Sequence, residues 1–189
     1  MDHPPLAPPR TPAAERELAR FRASYDHHLR QLDRISLSIL VWGPSPESDT
    51  PVARKRREIR DRLRRRGHNA MFSEELPGPV GRTSLKSLEL AQARAVHLVV
   101  VLYGDSPGAV AETHDFCAHP DVAPKVLVII PRELKDGYAG RGAIRDLQRA
   151  HGGVFWYTAQ DLSECRVCRR ALVRAQALRN LRFHAGVAE

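Results

Sequence analysis

Two stretches of apolar residues constrain the fold of this chain more than any other feature of its sequence. Residues 95–103 (AVHLVVVLY) and 125–130 (KVLVII) are almost continuously hydrophobic and rich in β-branched side chains. Inner strands of a parallel sheet are covered on both faces, so they read as continuous apolar runs, whereas antiparallel strands usually alternate apolar and polar residues. The two stretches therefore predict inner strands of a parallel sheet that is covered by helices on both faces.

The segments around these runs alternate between helical and strand patterns. Asp49 or Thr50 followed by Pro51 is a favoured start for a helix. We predict further strands at 35–42, 68–72 and 154–157, and helices at 51–67, 84–94, 107–118, 143–150 and 161–182. Because strands that alternate with helices are joined by right-handed crossovers, the sequence predicts an α/β fold, with an open, mostly parallel sheet of about five strands and helices on both faces.

An additional helix is predicted before this domain. Residues 1–12 are rich in proline and are expected to form a disordered tail, residues 13–34 form the N-terminal helix, and residues 35–183 form a single domain. The helix carries an apolar stripe at Leu18, Phe21, Tyr25, Leu29 and Leu32. Burying each large side chain is worth roughly 1.5–3 kcal/mol. We therefore expect the stripe to be buried, either against the domain or against a second copy or partner protein.

The sequence lacks the features of a secreted or membrane protein. Its first ten residues (MDHPPLAPPR) have no apolar core of a signal peptide, and its longest apolar stretch is too short to span a membrane. The odd number of cysteines is typical of free thiols in a reducing compartment. The pair Cys165 and Cys168 lacks the second pair of a structural zinc site. We expect a soluble, cytoplasmic protein with no membrane contact, no metal and no cofactor.

Positive charge is the most unusual property of the composition. The formal net charge is +8, and only four of the 30 basic residues are lysines, which leaves 26 arginines. This excess could mark a nucleic-acid surface on helices 54–66 and 166–182. The alternative is a compositional bias, with arginines spread over solvated helix faces. Because the aromatic residues do not interleave with the basic runs, as a stacking surface for single strands requires, nucleic acid is the less favoured partner.

A ligand site is predicted at the carboxyl ends of the strands, where open parallel sheets bind their ligands. Residues 104–109 (GDSPGA) join the central strand to a helix, and Ser106 suits the cap of that helix. At Gly108 the absent side chain would let a phosphate approach the free backbone N–H groups. Glu112 lies one turn further on the same side and is expected to face the crevice. The alternative is a surface glutamate that the helix dipole stabilises.

The segment SPGAVAE, placed after an apolar strand, resembles the nucleoside 2-deoxyribosyltransferase-like fold and the related SLOG group of Rossmannoid domains. The first strand ends in VWGP and the second ends near the acidic pair Glu74 and Glu75, which fits the same pattern over about residues 35–130. The resemblance implies that Glu112 contacts or attacks the sugar, with Asp105 as the acidic residue before it. The transferases carry a tyrosine in the first loop. Here Trp42 and Ser45 are the nearest substitutes, so hydrolysis or ligand binding is expected rather than base exchange.

The resemblance implies an N-glycosidase that acts on a nucleotide. Cleaving the bond between the sugar and the base builds positive charge on the sugar, which a carboxylate stabilises or attacks. NAD is the favoured substrate because nicotinamide departs without strong acid help, and small NADases of similar architecture, including Toll/interleukin-1 receptor domains, act in anti-phage defence. The alternative is a nucleotide-binding sensor without catalysis in the same cleft. The expected catalytic residues are Glu112 and Asp105, and the expected nucleotide-binding residues are Gly43, Ser45, Glu74, Glu75, Ser106 and Gly108.

Overall fold

A five-stranded sheet lies at the centre of the computed structural model, which describes residues 11–77, 84–104, 107–137 and 140–186, without the side chains of 107–112. All neighbouring strands are parallel, in the order β2-β1-β3-β4-β5. The strands are β1 Ser38–Trp42, β2 Asn69–Phe72, β3 Leu98–Leu102, β4 Val126–Pro131 and β5 Val154–Tyr157. The predicted α/β fold with a parallel sheet is confirmed.

Helices cover both faces of the sheet. Those in the described part of the chain are α1 Pro12–Asp33, α2 Pro51–Arg65, α3 Leu85–Ala95, α4 Pro107–Ala118, α5 Ala143–His151, α6 Ala159–Ser163 and α7 Arg166–His184. The apolar residues of α2 and α7 pack on one face, and those of α3, α4 and α5 pack on the other. None of the helices in the described ranges has the length and apolarity that a membrane span requires.

The central strand explains why the two apolar runs are so uninterrupted. Every residue of β3 is buried, and the side chains alternate between the two cores. Leu98, Val100 and Leu102 pack against the α2 and α7 side, while Val99 and Val101 pack against the other helices. Since no face of this strand meets water, its sequence shows no polar alternation.

The start of α2 follows the predicted pattern. Thr50 caps the helix because its hydroxyl accepts a hydrogen bond from the amide of Ala53 at 3.2 Å, and Pro51 occupies the first turn. The buried face of α2 carries Ile59 and Leu63, as the spacing predicts. From the same helix, Arg56 reaches the ends of β1 and β2, where it contacts Val41 and Glu74.

One predicted helix is wrong in its extent. The sequence predicts a continuous helix over 161–182, but the chain forms α6 and α7, with Glu164 in an extended conformation between them. The short helix α6 is fixed by a capping box, in which Thr158 and Asp161 each accept a hydrogen bond from the other's backbone amide. The basic α7 then begins at Arg166, whose guanidinium pairs with Asp161 at 3.2 Å.

The N-terminal helix is confirmed, but most of its apolar stripe is exposed on this chain. Its end contacts α7, where Asp33 pairs with Arg179 at 3.0 Å and Leu32 is buried. Phe21, Tyr25 and Leu29 are 66%, 52% and 37% exposed. The domain therefore does not cover the stripe, and burial against another molecule stays a prediction. Residues 1–10, which carry most of the predicted tail, lie outside the described residues.

Candidate functional site

A cleft of about 420 Å³ lies beside the carboxyl ends of β1 and β2. This volume falls within the range of small-molecule sites. One wall is formed by the ends of the two strands and the other by α3. The residues that matter for its chemistry are Trp42, Gly43, Glu74, Leu85, Leu88, Glu89 and Gln92.

The wall from α3 explains an apolar stripe that does not reach the core. The sequence places Leu85, Leu88 and Gln92 at helical spacing, and all three line the cleft. The core contact of α3 is made instead by Ala93, which is fully buried, and by the half-buried Leu90. Leu85 is 60% exposed, so this wall presents apolar surface to whatever enters the cleft.

Two polar atoms of the cleft residues are buried without a hydrogen bond from any described residue. They are the indole nitrogen Nε1 of Trp42, which can only donate, and the amide oxygen Oε1 of Gln92, which can only accept. Buried polar atoms in native proteins nearly always have a partner, so each exception requires an explanation. Since neither atom has accessible surface in this structure, a ligand that offers one acceptor and one donor would satisfy both only once the two side chains turn towards the cleft.

The opposite wall is held by the buried residue Arg56. Its side chain has no exposed surface and donates hydrogen bonds to the carbonyl oxygens of Val41 and Pro44 and, in a bidentate pair at 2.7 and 2.6 Å, to the carboxylate of Glu74. Burial raises the pKa of Glu74, but the hydrogen bonds and charge of Arg56, together with a backbone hydrogen bond and that from Ser73, outweigh it, and the net pKa is lowered. Glu74 is therefore an anion with one side on Arg56 and 47% of its side chain exposed.

Glu75 belongs to the same network but faces away from the cleft. Its carboxylate accepts from the backbone amide of Phe72 at 2.7 Å and pairs with Arg60 and Arg64 of α2. The guanidinium carbons of Arg56 and Arg60 lie 4.5 and 4.2 Å from the centre of the Phe72 ring. The two acidic residues after β2 thus anchor the strand end to α2.

Two glycines bring the loops after β1 and β3 into contact at the point where the strand order reverses, between β1 and β3. Gly43 has φ +151°, and a Cβ atom there would lie 2.6 Å from the carbonyl oxygen of Leu102. A Cβ atom on Gly104 would collide with the ring of Pro44. The loop after β1 is therefore packed directly against the end of β3 and the start of the loop that follows it.

The predicted site residues fall into three groups. Gly43 and Glu74 line the cleft, as expected for residues at neighbouring strand ends. Ser45 is not part of its lining, and its hydroxyl accepts a hydrogen bond from the amide of Glu47 at 3.3 Å. Asp105 and Ser106 lie outside the described residues, and so do the side chains of 107–112, so Gly108 and Glu112 are placed only as members of α4.

Sequence reasoning missed Arg56, Glu89 and Gln92 as cleft residues. Gln92 had a signal, because it shares the stripe of Leu85 and Leu88. Arg56 had none, because nothing in the run RKRR at 54–57 distinguishes the fully buried Arg56 from the exposed Arg54 or the half-buried Arg57.

The cysteines do not form a metal site with other ligands in the described ranges, where no cluster of three candidate ligands occurs. Cys165 is exposed and its sulfur lies 3.1 Å from Nη2 of Arg62. Cys168 is buried in the core, and burial raises the pKa of its thiol to about 12.

The comparison with known families gives one finding. A model of the family described as STM3845 retron effector protein matches residues 54–183, which is more than half of the chain. No curated protein matches the chain. The resemblance to nucleoside 2-deoxyribosyltransferases, SLOG domains and Toll/interleukin-1 receptor domains finds no support in this match.

Proposed function

The chain belongs to the STM3845 retron effector protein family, and we propose on this premise that it acts in anti-phage defence as an N-glycosidase of a nucleotide, with NAD as the first candidate. Membership of a family of effectors supports the role in defence. The glycosidase activity is the more specific part of the proposal and rests on the chemistry of the cleft and on the residues of the 104–112 segment.

The observation that carries the proposal is the pair of buried, unsatisfied polar atoms on two residues that line the cleft. The Nε1–H of Trp42 and the Oε1 of Gln92 are a donor and an acceptor without partners among the described residues. A carboxamide such as that of nicotinamide, or the edge of a nucleobase, offers the matching acceptor and donor. The apolar wall at Leu85 and Leu88 suits the flat face of such a ring, and the cleft volume of about 420 Å³ suits a nucleotide-sized ligand.

The proposed reaction is hydrolysis at C1′ of the ribose. The bond between C1′ and the base nitrogen breaks, and its electron pair leaves with the base, so that the cationic ring of NAD becomes neutral nicotinamide. The oxygen of water forms the new bond to C1′ and releases one proton to the solvent. Positive charge builds on the sugar in the transition state. In this proposal the carboxylate of Glu112 stabilises that charge and Asp105 assists it. Glu74 would accept hydrogen bonds from the ribose hydroxyls through its exposed side.

A nucleotide sensor without catalysis is the second candidate, and the Arg56–Glu74 pair favours it. A carboxylate that is already held by a bidentate guanidinium is a weak nucleophile and a good fixed acceptor. Glu74 therefore suits recognition of a ligand more than attack on it. The two candidates share one cleft and differ in whether base is released.

The test is to incubate the protein with NAD and with a panel of nucleosides and nucleotides, and to follow released base by chromatography. Glu112→Gln keeps the size of the side chain and removes its charge, so it should abolish most turnover while ligand affinity is largely kept. The matched control is Asp115→Asn on the same helix, whose carboxylate pairs with Lys86 at 2.7 Å, and this variant should retain turnover.

Two results would count against the glycosidase. Glu112→Gln with full activity would remove Glu112 from the reaction. If the wild-type protein binds a nucleotide in calorimetry but releases no base, the result favours the nucleotide sensor over the glycosidase.

A further inference from the structure

The strand β5 forms one edge of the sheet and exposes an aromatic side chain on each face. In the described chain it pairs only with β4. Consecutive side chains of a strand point to opposite faces, so Phe155 packs towards α7 and Trp156 packs towards α5. Both rings are only partly buried. A cavity adjoins each of them, and neither cavity belongs to the cleft beside β1 and β2.

The cavity on the α5 side combines the indole ring with positive charge. It has a volume of about 410 Å³, and Trp156 shares its lining with Lys135, Arg141 and Arg145. The Nε1 of Trp156 donates to the amide oxygen of Gln148 at 3.2 Å, which fixes the orientation of the ring. None of the three cations has an ion pair within the described ranges, although the carboxylate of Asp136 also lines the cavity.

The cavity on the α7 side repeats this combination with a different ring. It has a volume of about 580 Å³ and is lined by Phe155, Arg169 and Arg170, together with the paired residues Arg166 and Asp161. The guanidinium carbon of Arg170 lies 4.8 Å from the centre of the Phe155 ring. Arg169 and Arg170 make no ion pair with any described residue.

The positive charge of α2 is arranged differently. Five of its eight cations share three carboxylates: Glu58 pairs with Lys55 and Arg62, Glu74 with Arg56, and Glu75 with Arg60 and Arg64. The nucleic-acid surface that the sequence suggested on α2 and α7 together is therefore not favoured on α2. The cations without an ion pair to a described residue lie instead beside the aromatic rings of β5, where residues distant in the sequence come together.

We propose that single-stranded nucleic acid binds across this edge of the sheet, on the β5-edge surface (Arg141, Arg145 and Trp156 on one side, Phe155, Arg169 and Arg170 on the other). Cations bind the phosphates, and bases stack on the exposed parts of the two rings, the combination that single-strand binding surfaces use. Bases in a duplex are already stacked on one another and cannot reach the rings, so the surface selects single strands. An acidic protein would meet the same cations but would gain nothing comparable from the two rings.

The test measures binding of a fluorescently labelled thymine oligonucleotide to the full chain by anisotropy at several salt concentrations. Trp156→Leu and Phe155→Leu keep an apolar side chain and remove the aromatic face, and each should weaken binding about tenfold or more. Arg145→Gln and Arg169→Gln each remove one phosphate contact, and each should lower the slope of log K against log salt by about 0.7. All four positions are exposed or partly exposed, so the variants should fold.

The matched control is Arg22→Gln, which removes the same charge from an exposed position on α1. It should leave both affinity and salt slope unchanged. Oligonucleotide binding should also quench tryptophan emission, and because Trp42 is only 3% exposed, the quenching should disappear in Trp156→Leu.

Three results would overturn the proposal. The first is equal binding of single-stranded and duplex DNA. The second is loss of affinity in Arg22→Gln as large as in Arg145→Gln. The third is unchanged affinity and unchanged quenching in both leucine variants. If inorganic polyphosphate also competed fully with the oligonucleotide, the surface would bind any polyanion.

Discussion

The pair of Arg56 and Glu74 should control the stability of the cleft wall, and its two partners should contribute unequally. Arg56 is fully buried and all of its hydrogen bonds end on Val41, Pro44 and Glu74. Glu74 is 47% exposed, so water can solvate its carboxylate when the arginine is absent. The loss of the arginine therefore removes more hydrogen bonds than the loss of the carboxylate, because it also removes those to Val41 and Pro44.

The expected magnitudes follow from this asymmetry. Arg56→Met removes every one of these hydrogen bonds and the packing of a fully buried side chain, so it should lower the free energy of unfolding by about 3–5 kcal/mol. Glu74→Gln leaves Arg56 its backbone acceptors and an amide oxygen in place of the carboxylate, but the buried guanidinium loses its counter-charge, so the variant should lower the same free energy by about 2–3 kcal/mol. In the double variant the interaction between the two side chains is already absent after Arg56→Met, so adding Glu74→Gln should lower the free energy of unfolding little further.

Urea unfolding of the wild type, both single variants and the double variant measures these values in one cycle. If the two costs add within about 0.5 kcal/mol, the pair is not coupled and the reasoning is refuted. The pH dependence gives a second check. Because the pKa of Glu74 is lowered in the folded protein, its stabilisation is present above the unfolded pKa and is lost as the pH falls through the folded pKa. The difference between wild type and Glu74→Gln should therefore shrink in acid.

Two further predictions concern other parts of the chain. Burial and the nearby charge of Arg179 lower the pKa of His68 to about 4, whereas the ordinary pKa of the imidazole is about 6.5. Between these two pH values the unfolded chain binds a proton at His68 that the folded protein does not bind. The free energy of unfolding should therefore drop by up to about 3 kcal/mol as the pH falls from about 6.5 to about 4. Thermal unfolding of His68→Gln should show a flatter profile there, and an unchanged profile would contradict the assignment. The exposed stripe of α1 should make the protein self-associate, so Phe21→Ser combined with Tyr25→Ser should give monomers in sedimentation without loss of secondary structure. Wild-type protein that stays monomeric at micromolar concentration would refute this expectation.

The fold was predictable where burial acts on consecutive residues. The strands β3 and β4 are covered on both faces, so their continuous apolar sequences predict buried strands directly. Thr50 with Pro51 predicts the start of α2 from local capping chemistry alone. The break between α6 and α7 was not predictable in the same way. No proline or glycine interrupts the helical pattern there, and the break depends on the capping box of Thr158 and Asp161, which competes with helix continuation.

The candidate site was predictable in position but only partly in residues. The parallel sheet places the ends of β1 and β2 together, which is why Gly43 and Glu74 line one cleft. The role of Arg56 depends on which arginine of a basic run faces the sheet, and the β5-edge surface joins Arg145, Trp156 and Arg169 from separate elements. Contacts of this kind leave no short-range pattern, so spacing along the sequence cannot reveal them.

The position of β1 has a consequence for how this chain can be divided. The segment that matches the family begins at residue 54, but β1 lies before it at Ser38–Trp42 and is an inner strand between β2 and β3. A fragment that starts at residue 54 would leave a gap in the middle of the sheet and expose the apolar faces of both neighbours. The smallest autonomous unit must therefore begin before Leu37, which is fully buried. The region by which the family is recognised and the region that can fold alone are different in extent.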